Sequence, residues 1–382
     1  MRKKGIWERK KMKVFEYEKL EKATENFSKS RLIGKGSHGC VYKGILEDGK
    51  IIAIKKQSLG LQKIQDYSKL ENEVSILSSL SENSFIVNFL GTSNNNSAKN
   101  ETFLIMEYLP NGTLHEMLHA KIVPPPWPKR AQVAIQVAKA IEFLHQTKPS
   151  IVHRDIKSTN VLFDSNWNAK LADLGLALRM KNDCEDDDPC SPSHRSNSVT
   201  RPAGTIGYLD PSYTKPSKLS TKNDIFSFGV LLLEIMSSRK VIDVSKSPVS
   251  IVDWATTLIK EGRDLEICDK RMHVPWYMEG TIKNMLRIAT RCVSTKKITR
   301  PSIQEIVMEM ENVIVEPTKY PLWNILRSLT LLKRKRKRCR KDCSIITTTV
   351  TKTCAQHEGK VQKDMSRRTL LIREILADKV MQ

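Results

Sequence analysis

Long apolar runs are missing from this 382-residue chain. None approaches the ~18 apolar residues of a membrane span, which excludes a transmembrane helix. The start, Met1-Arg2-Lys3-Lys4, lacks the apolar stretch of a secretory signal, and Arg2 stands where N-myristoylation requires glycine. Together these absences predict a cytosolic or nuclear chain. Paired cysteines are missing too. The eight lie scattered at positions 40, 184, 190, 268, 292, 339, 343 and 354, without the pair-plus-pair spacing of a structural zinc site. In a reducing compartment they are expected to be free thiols. Acidic residues are in deficit, 42 against 64 Lys and Arg, for a net charge of +22. That surplus is uneven: residues 315–382 hold 17 Lys/Arg against 6 Asp/Glu, and residues 1–26 hold 9 against 5. Any anionic partner is therefore expected at the flanks.

What is present suggests two unlike halves. From Arg31 to Lys56 the pattern is strand, turn, strand, strand, with glycines at 34, 36, 39, 44 and 49. Leu70, Val74, Leu77 and Leu80 recur at helical spacing and predict a helix over Ser68–Leu80. Phe85–Leu90 and Thr102–Leu109 read as strands. From Leu114 to about Val313 the chain is mainly helical, with Ile225–Met236 apolar enough to be fully buried. Residues 1–26 show only a weak helical stripe of Phe15, Tyr17, Leu20 and Ala23. No internal repeat is found.

Five pieces occur in the order that phosphoryl transfer requires. Gly34-Lys35-Gly36-Ser37-His38-Gly39-Cys40-Val41 lies between two strands, where glycines let backbone amides approach phosphates closely. Alone it could be an ordinary hairpin. Ile52-Ala53-Ile54-Lys55 puts a lysine on a strand, suited to the α- and β-phosphates, and Glu73 on the predicted helix is its candidate ion-pair partner. Each has a plain reading as a solvated surface charge. His153-Arg154-Asp155-Ile156-Lys157-Ser158-Thr159-Asn160 supplies a base (Asp155), a cation to offset phosphoryl charge (Lys157) and a metal ligand (Asn160). Asp173-Leu174-Gly175 offers a second metal carboxylate. γ-Phosphoryl transfer needs positioning and charge neutralisation rather than covalent help, which this set provides.

Taken jointly, and with Asp224 in DIFSFGV at 224–230, these motifs make residues 27–314 resemble a eukaryotic protein kinase. Within that family FEYEKLEKATENFS at 15–28, GTIGYLDP at 204–211 and RPSIQEIVMEME at 300–311 are similar to the plant receptor-like (Pelle-like) group, here a cytoplasmic member. The resemblance implies an α+β bilobal fold: a small β-rich N-lobe with one key helix over about 27–106, a hinge near 107–110 and a helical C-lobe over 111–314. It implies an ATP- and Mg²⁺-dependent kinase, with Mn²⁺ as a possible substitute. Nucleotide contacts are expected from Ile33, the glycine loop 34–41, Ala53, Lys55, the gatekeeper Met106, Glu107 and Leu109. Lys157 and Thr205, expected beside Asp155, imply protein Ser/Thr acceptors, and the resemblance to the plant group implies a role in plant signalling. Arg154 implies switching by phosphorylation at Ser198, Thr200 or Thr205, with a membrane receptor kinase as a possible upstream partner. The rival class is a scaffolding pseudokinase, which would be expected to lack Lys55, Asp155, Asn160 or Asp173.

Three features depart from the family pattern. Ser212 stands where a glutamate pairs with Arg300, so that buried ion pair is expected to be absent and Arg300 to need another acceptor or solvent. Leu174 replaces the commoner phenylalanine, a tolerated apolar exchange. Cys184–Cys190 encloses an acidic stretch that reads as a disordered insert rather than a redox clasp. The tail run Lys333–Lys341, eight cations in nine positions, fits a solvated tail, an anionic membrane surface or nuclear import. The inner face of the plasma membrane and the nucleus are thus both open, and nucleic acid is not expected as a partner.

Overall fold

In the computed structural model, residues 13–36, 39–57, 67–93, 102–180, 202–213 and 219–313 are described. The chain enters at β1 (Val14–Phe15), followed by α1 (Tyr17–Ala23), whose Tyr17, Leu20 and Ala23 share one buried face. Three strands follow, β2 (Leu32–Gly36), β3 (Gly39–Ile45) and β4 (Ile51–Lys56), then α2 (Tyr67–Ser79), β5 (Phe89–Ser93) and β6 (Leu104–Glu107). The strands form one sheet in the order β1-β5-β6-β4-β3-β2. Side chains alternate across β4, as strand geometry demands. Ile52 and Ile54 join Tyr17, Leu20, Phe103 and Ile105 in a small outer cluster, while Ala53 belongs to the main core with Leu104, Met106 and the α2 residues Leu70 and Leu77.

Two expectations for this half change. Residues 1–26 were expected to flank the domain, yet β1 pairs in parallel with β5, Val14 opposite Thr92, and the Tyr17 ring lies 5.4 Å from that of Phe103. The outer face of the sheet carries apolar Ile52, Ile54 and Ile105, which are buried in one cluster with Tyr17 and Leu20 of α1. The strand expected over Phe85–Leu90 begins only at Phe89. Ahead of it, Phe85 N–H donates to Asn83 Oδ1 in a turn (2.8 Å), and the Val87 N–H and Phe85 carbonyl bond to Leu171 instead of to the sheet. The apolar run is used against another partner, so periodicity alone misplaces the strand.

The second half opens with α3 (Leu114–His119), whose Thr113 and Glu116 form a capping box, and the long α4 (Trp127–Gln146). Short pieces follow: β7 (Ile151–Val152), a 3-10 turn at Ser158–Asn160, β8 (Val161–Phe163), β9 (Ala169–Leu171), a 3-10 turn at Leu174–Leu176 and β10 (Leu178–Arg179). The remaining helices are α5 (Thr221–Ser237), α6 (Ile251–Lys260), α7 (Glu279–Cys292) and α8 (Ile303–Val313). Every residue of α5 from Asn223 to Met236 is buried, as its apolar sequence predicts. Gly229 sits so close to α7 that a Cβ there would lie 2.5 Å from the Cys292 Cβ. This packed helical layer supports the short strands and turns that carry the polar residues.

Candidate active site

Strand alternation that sends Ile52 and Ile54 outward turns Lys55 inward, where α2 presents Glu73. Lys55 Nζ lies 2.6 Å from Glu73 Oε2 and 2.7 Å from Asp173 Oδ1. Lys55 and Glu73 are both buried. Burial alone would lower the ammonium pKa, but the two carboxylates outweigh it and hold Lys55 above its usual range. Burial pushes the Glu73 carboxyl upward, against the pull of Lys55. Asp173 adopts a left-handed conformation (φ 63°) that starts the 3-10 turn after β9. From α2, the Asn72 amide donates to Gly175 O (3.1 Å) and Ala177 O (2.9 Å), tying the helix to that turn. Leu174 is fully buried in the core that contains Leu77. A leucine fills this place, as expected.

The loop 153–160 is held from below by Asp224 of α5. Its carboxylate accepts from His153 N (2.8 Å) and Arg154 N (2.9 Å) and bonds His145 Nε2 (2.9 Å). Burial would raise this carboxyl, but these donors keep it below its usual range. They also hold Arg154 at φ 70°, an unfavourable conformation for a residue with a side chain. Above them, Asp155 Oδ1 accepts from the Thr205 hydroxyl (2.6 Å), and Lys157 Nζ reaches both Thr205 Oγ1 (2.9 Å) and Asp155 Oδ2 (2.7 Å). The Asn160 amide donates to the Asp155 carbonyl (2.8 Å) and carboxylate (3.2 Å). Ala172 N–H donates to the Asn160 carbonyl (2.9 Å), which keeps Asn160 next to the strand that delivers Asp173. An amide oxygen and a carboxylate are hard donors suited to Mg²⁺.

The glycine loop bridges β2 and β3, with Gly34 opposite Val41, Lys35 opposite Cys40 and Gly36 opposite Gly39. Gly39 has φ 143°, and a Cβ there would lie 2.4 Å from the Lys56 carbonyl, so only glycine fits. Ile33 is exposed on β2. Ala53 pairs with Met106 across the sheet and Val41 with Lys55, while Leu109 is buried just beyond β6. This is an apolar slot beside Lys55. Glu107, expected near the adenine, commits its carboxylate elsewhere, to Lys170 Nζ (2.6 Å) and Asn88 N (2.7 Å). Its backbone N–H is also taken, donating to the Asn88 carbonyl (3.1 Å). Ser37, His38, Ser198, Thr200, the 184–190 insert and the 333–341 run lie outside the described residues.

The fold thus joins Lys55 to Glu73 and Asp173, and Asp155 to Lys157, Asn160 and Thr205. The family model for the protein kinase domain matches residues 27–310. The chain belongs to the protein kinase family. Its relatives include an Arabidopsis thaliana serine/threonine-protein kinase-like protein, 45% identical over 348 residues covering 86% of this chain and 96% of that one. A second Arabidopsis protein of that description is 43% identical over 308 residues, 79% and 80% of the two chains. A proline-rich receptor-like protein kinase from the same plant is 38% identical over 306 residues, of which this chain spans 41%. Kinase membership brings ATP and a divalent cation as the groups this cleft serves. No helix among the described residues is long and apolar enough to cross a membrane.

Arg300 takes another acceptor, as expected, and that acceptor is an acid, so the residue sits in a buried ion pair without the glutamate. Both terminal guanidinium nitrogens of Arg300 reach Asp210, at 2.5 and 3.0 Å, and both residues are buried. The Asp210 carboxylate also accepts from the Ser212 hydroxyl (2.9 Å), Ser212 N (2.9 Å) and Asn223 Nδ2 (2.8 Å). Burial would raise this carboxyl; Arg300 and Ser212 hold it below its usual range. A short serine at 212 lets the neighbouring Asp210 take the guanidinium. Ninety residues separate the partners, so no local pattern signals the exchange. Asn72 also escaped the sequence reading, because an exposed-looking helical asparagine carries no signal. Arg154, the expected phosphate receiver, donates to Leu176 O (3.1 Å) and Tyr213 Oη (3.3 Å).

Proposed function

We propose that this chain is a serine/threonine protein kinase that transfers the γ-phosphoryl of ATP, with Mg²⁺, to protein hydroxyls. The contact set of Thr205 and Lys157 on Asp155 carries the reading. A divalent cation held by Asn160 and Asp173 would supply charge neutralisation for the phosphates. Asp155 accepts or orients the proton of the acceptor hydroxyl. Lys157, 2.7 Å from it, offsets charge on the transferring group. Lys55, pinned by Glu73, meets the phosphates. Asn160 and Asp173 are the ligands for Mg²⁺, with Mn²⁺ as a substitute. The glycine loop and the slot of Val41, Ala53, Met106 and Leu109 hold the nucleotide, with the Glu107 backbone at its edge. Thr205 leaves room for a short acceptor side chain. The polar residues a scaffold would be free to lose are all in place, which favours catalysis over a pseudokinase.

The kinase domain in this reading spans about 27–314, with β1 and α1 of the preceding segment packed on its sheet and a basic flank at 315–382. Phosphorylation at Ser198 or Thr200 would give Arg154 a charge-assisted partner in place of Tyr213. A receptor-like kinase upstream and an anionic membrane surface for the 333–341 run fit a cytoplasmic protein working at the plasma membrane, and the same run fits nuclear import. The test is incubation of the full chain with labelled ATP, Mg²⁺ and a mixed protein substrate, followed by phosphoamino-acid analysis. Phosphoserine and phosphothreonine are expected. Label on tyrosine alone would overturn the assignment.

A further inference from the structure

Away from the cleft, the sequence His115-Glu116-Met117-Leu118-His119 places two histidines four apart on α3, so both rings fall on one helix face. Their ring centroids are 4.7 Å apart. Glu234, from α5, meets them: His119 Nε2 lies 2.8 Å from Glu234 Oε1. One ligand atom from each of His115, His119 and Glu234 lies within 4.8 Å of the others. His115 is exposed, His119 half-buried and Glu234 buried, so the cluster opens to solvent at one end. Two imidazoles and a carboxylate form a donor set typical of zinc, with solvent filling the fourth position. Metal–ligand bonds of about 2.0–2.2 Å put tetrahedral donors ~3.3 Å apart, a rearrangement within reach of a turn of the exposed His115 ring.

We propose that His115, His119 and Glu234 form a Zn²⁺ site that no part of the phosphoryl-transfer machinery uses. The surroundings resemble the outer shell that tunes metal ligands. The Tyr208 hydroxyl donates to Glu234 Oε2, the Ser158 hydroxyl donates to Oε1 (2.9 Å), and Ser158 Oγ lies 3.4 Å from His115 Nδ1. Ser158 follows Lys157 in the catalytic loop, and Tyr208 lies three residues after Thr205. Metal at this point ties α3 to α5 directly beneath the two segments that meet at Asp155. The site is not hydrolytic. Glu116, the acid between the histidines, spends its carboxylate on the Thr113 N–H (2.9 Å), in the helix cap.

The experiment titrates metal-stripped full-length protein with Zn²⁺ by calorimetry, follows thermal unfolding with and without Zn²⁺, and records the absorption of the Co²⁺ form. One Zn²⁺ per chain is expected to bind and raise the unfolding midpoint, and Co²⁺ is expected to show visible bands without a thiolate charge-transfer band. His115→Ala, at an exposed position, and His119→Gln should each weaken that binding about tenfold or more. Unchanged Zn²⁺ affinity in His115→Ala, a thiolate-dominated Co²⁺ spectrum or absence of stoichiometric binding would each overturn the site.

Discussion

Replacing Asp210 with alanine should destabilise this kinase more than any exchange at Ser212. The substitution removes the acceptor of five hydrogen bonds, two of them from Arg300, whose side chain is about 1% exposed. Stranding one buried partner of an ion pair is worth about 3–5 kcal/mol. Arg300 keeps its bonds to Ser294 O (2.9 Å) and Lys222 O (3.1 Å) and its place over the Phe226 ring, which argues for the lower end. At about 3 kcal/mol the unfolding midpoint falls by roughly 5 °C for a domain of this size. Ser212→Ala removes one hydroxyl contact and should lose only ~0.5–1.5 kcal/mol. The assay is thermal and denaturant unfolding of the three proteins side by side. Because the folded Asp210 carboxyl titrates below its ordinary value of 3.8, its stabilisation is complete above that value and lost as pH falls through the folded pKa. The gap between wild type and Asp210→Ala should therefore be full at neutral pH and close in strong acid. An Asp210→Ala loss no greater than that of Ser212→Ala would refute the reasoning.

Two further outcomes follow from the site. Thr205→Val keeps the shape of the side chain but removes the hydroxyl that contacts both Asp155 and Lys157, so kcat/KM toward a protein substrate should fall about tenfold or more, with ATP affinity little changed; equal kinetics would separate Thr205 from catalysis. Among the cysteines, burial pushes the Cys268 thiol up to about 11 and the Cys292 thiol up to about 12, so neither should react with iodoacetamide in the folded protein near neutral pH. Half-buried Cys40, on the glycine loop, should label and be protected by ATP, and mass spectrometry of the peptides checks both statements.

The polar residues of the cleft were legible because their spacing is set by chemistry at short range: a lysine on an alternating strand, a base and an amide five apart on one loop, a glycine where a Cβ would strike the Lys56 carbonyl. α2 and α5 were legible from periodicity and differ by only a residue or a few at their ends. What escaped depends on contacts between distant segments. Periodicity at Phe85–Leu90 shows an apolar run but not that Leu171, rather than the sheet, pairs with its start. The faint stripe of Tyr17, Leu20 and Ala23 looked like a polar flank because its partners, Ile52, Ile54, Phe103 and Ile105, lie elsewhere in sequence. Asp210 replaced the expected glutamate two positions away, and only the packed fold shows which carboxylate reaches Arg300. The HEMLH stretch holds two histidines one turn apart, but their third partner lies on α5, 115 residues beyond His119, and the sequence reading passed over them.

The central claim, that Asp155 sits in a working phosphoryl-transfer site, is tested most directly by autophosphorylation. Wild type and Asp155→Asn, at equal concentration and with equal unfolding midpoints, are incubated with labelled ATP and Mg²⁺. Wild type should incorporate label, and the variant should fall by about two orders of magnitude or more, the scale of a positioned acid–base group. Equal incorporation in the two proteins would contradict the account.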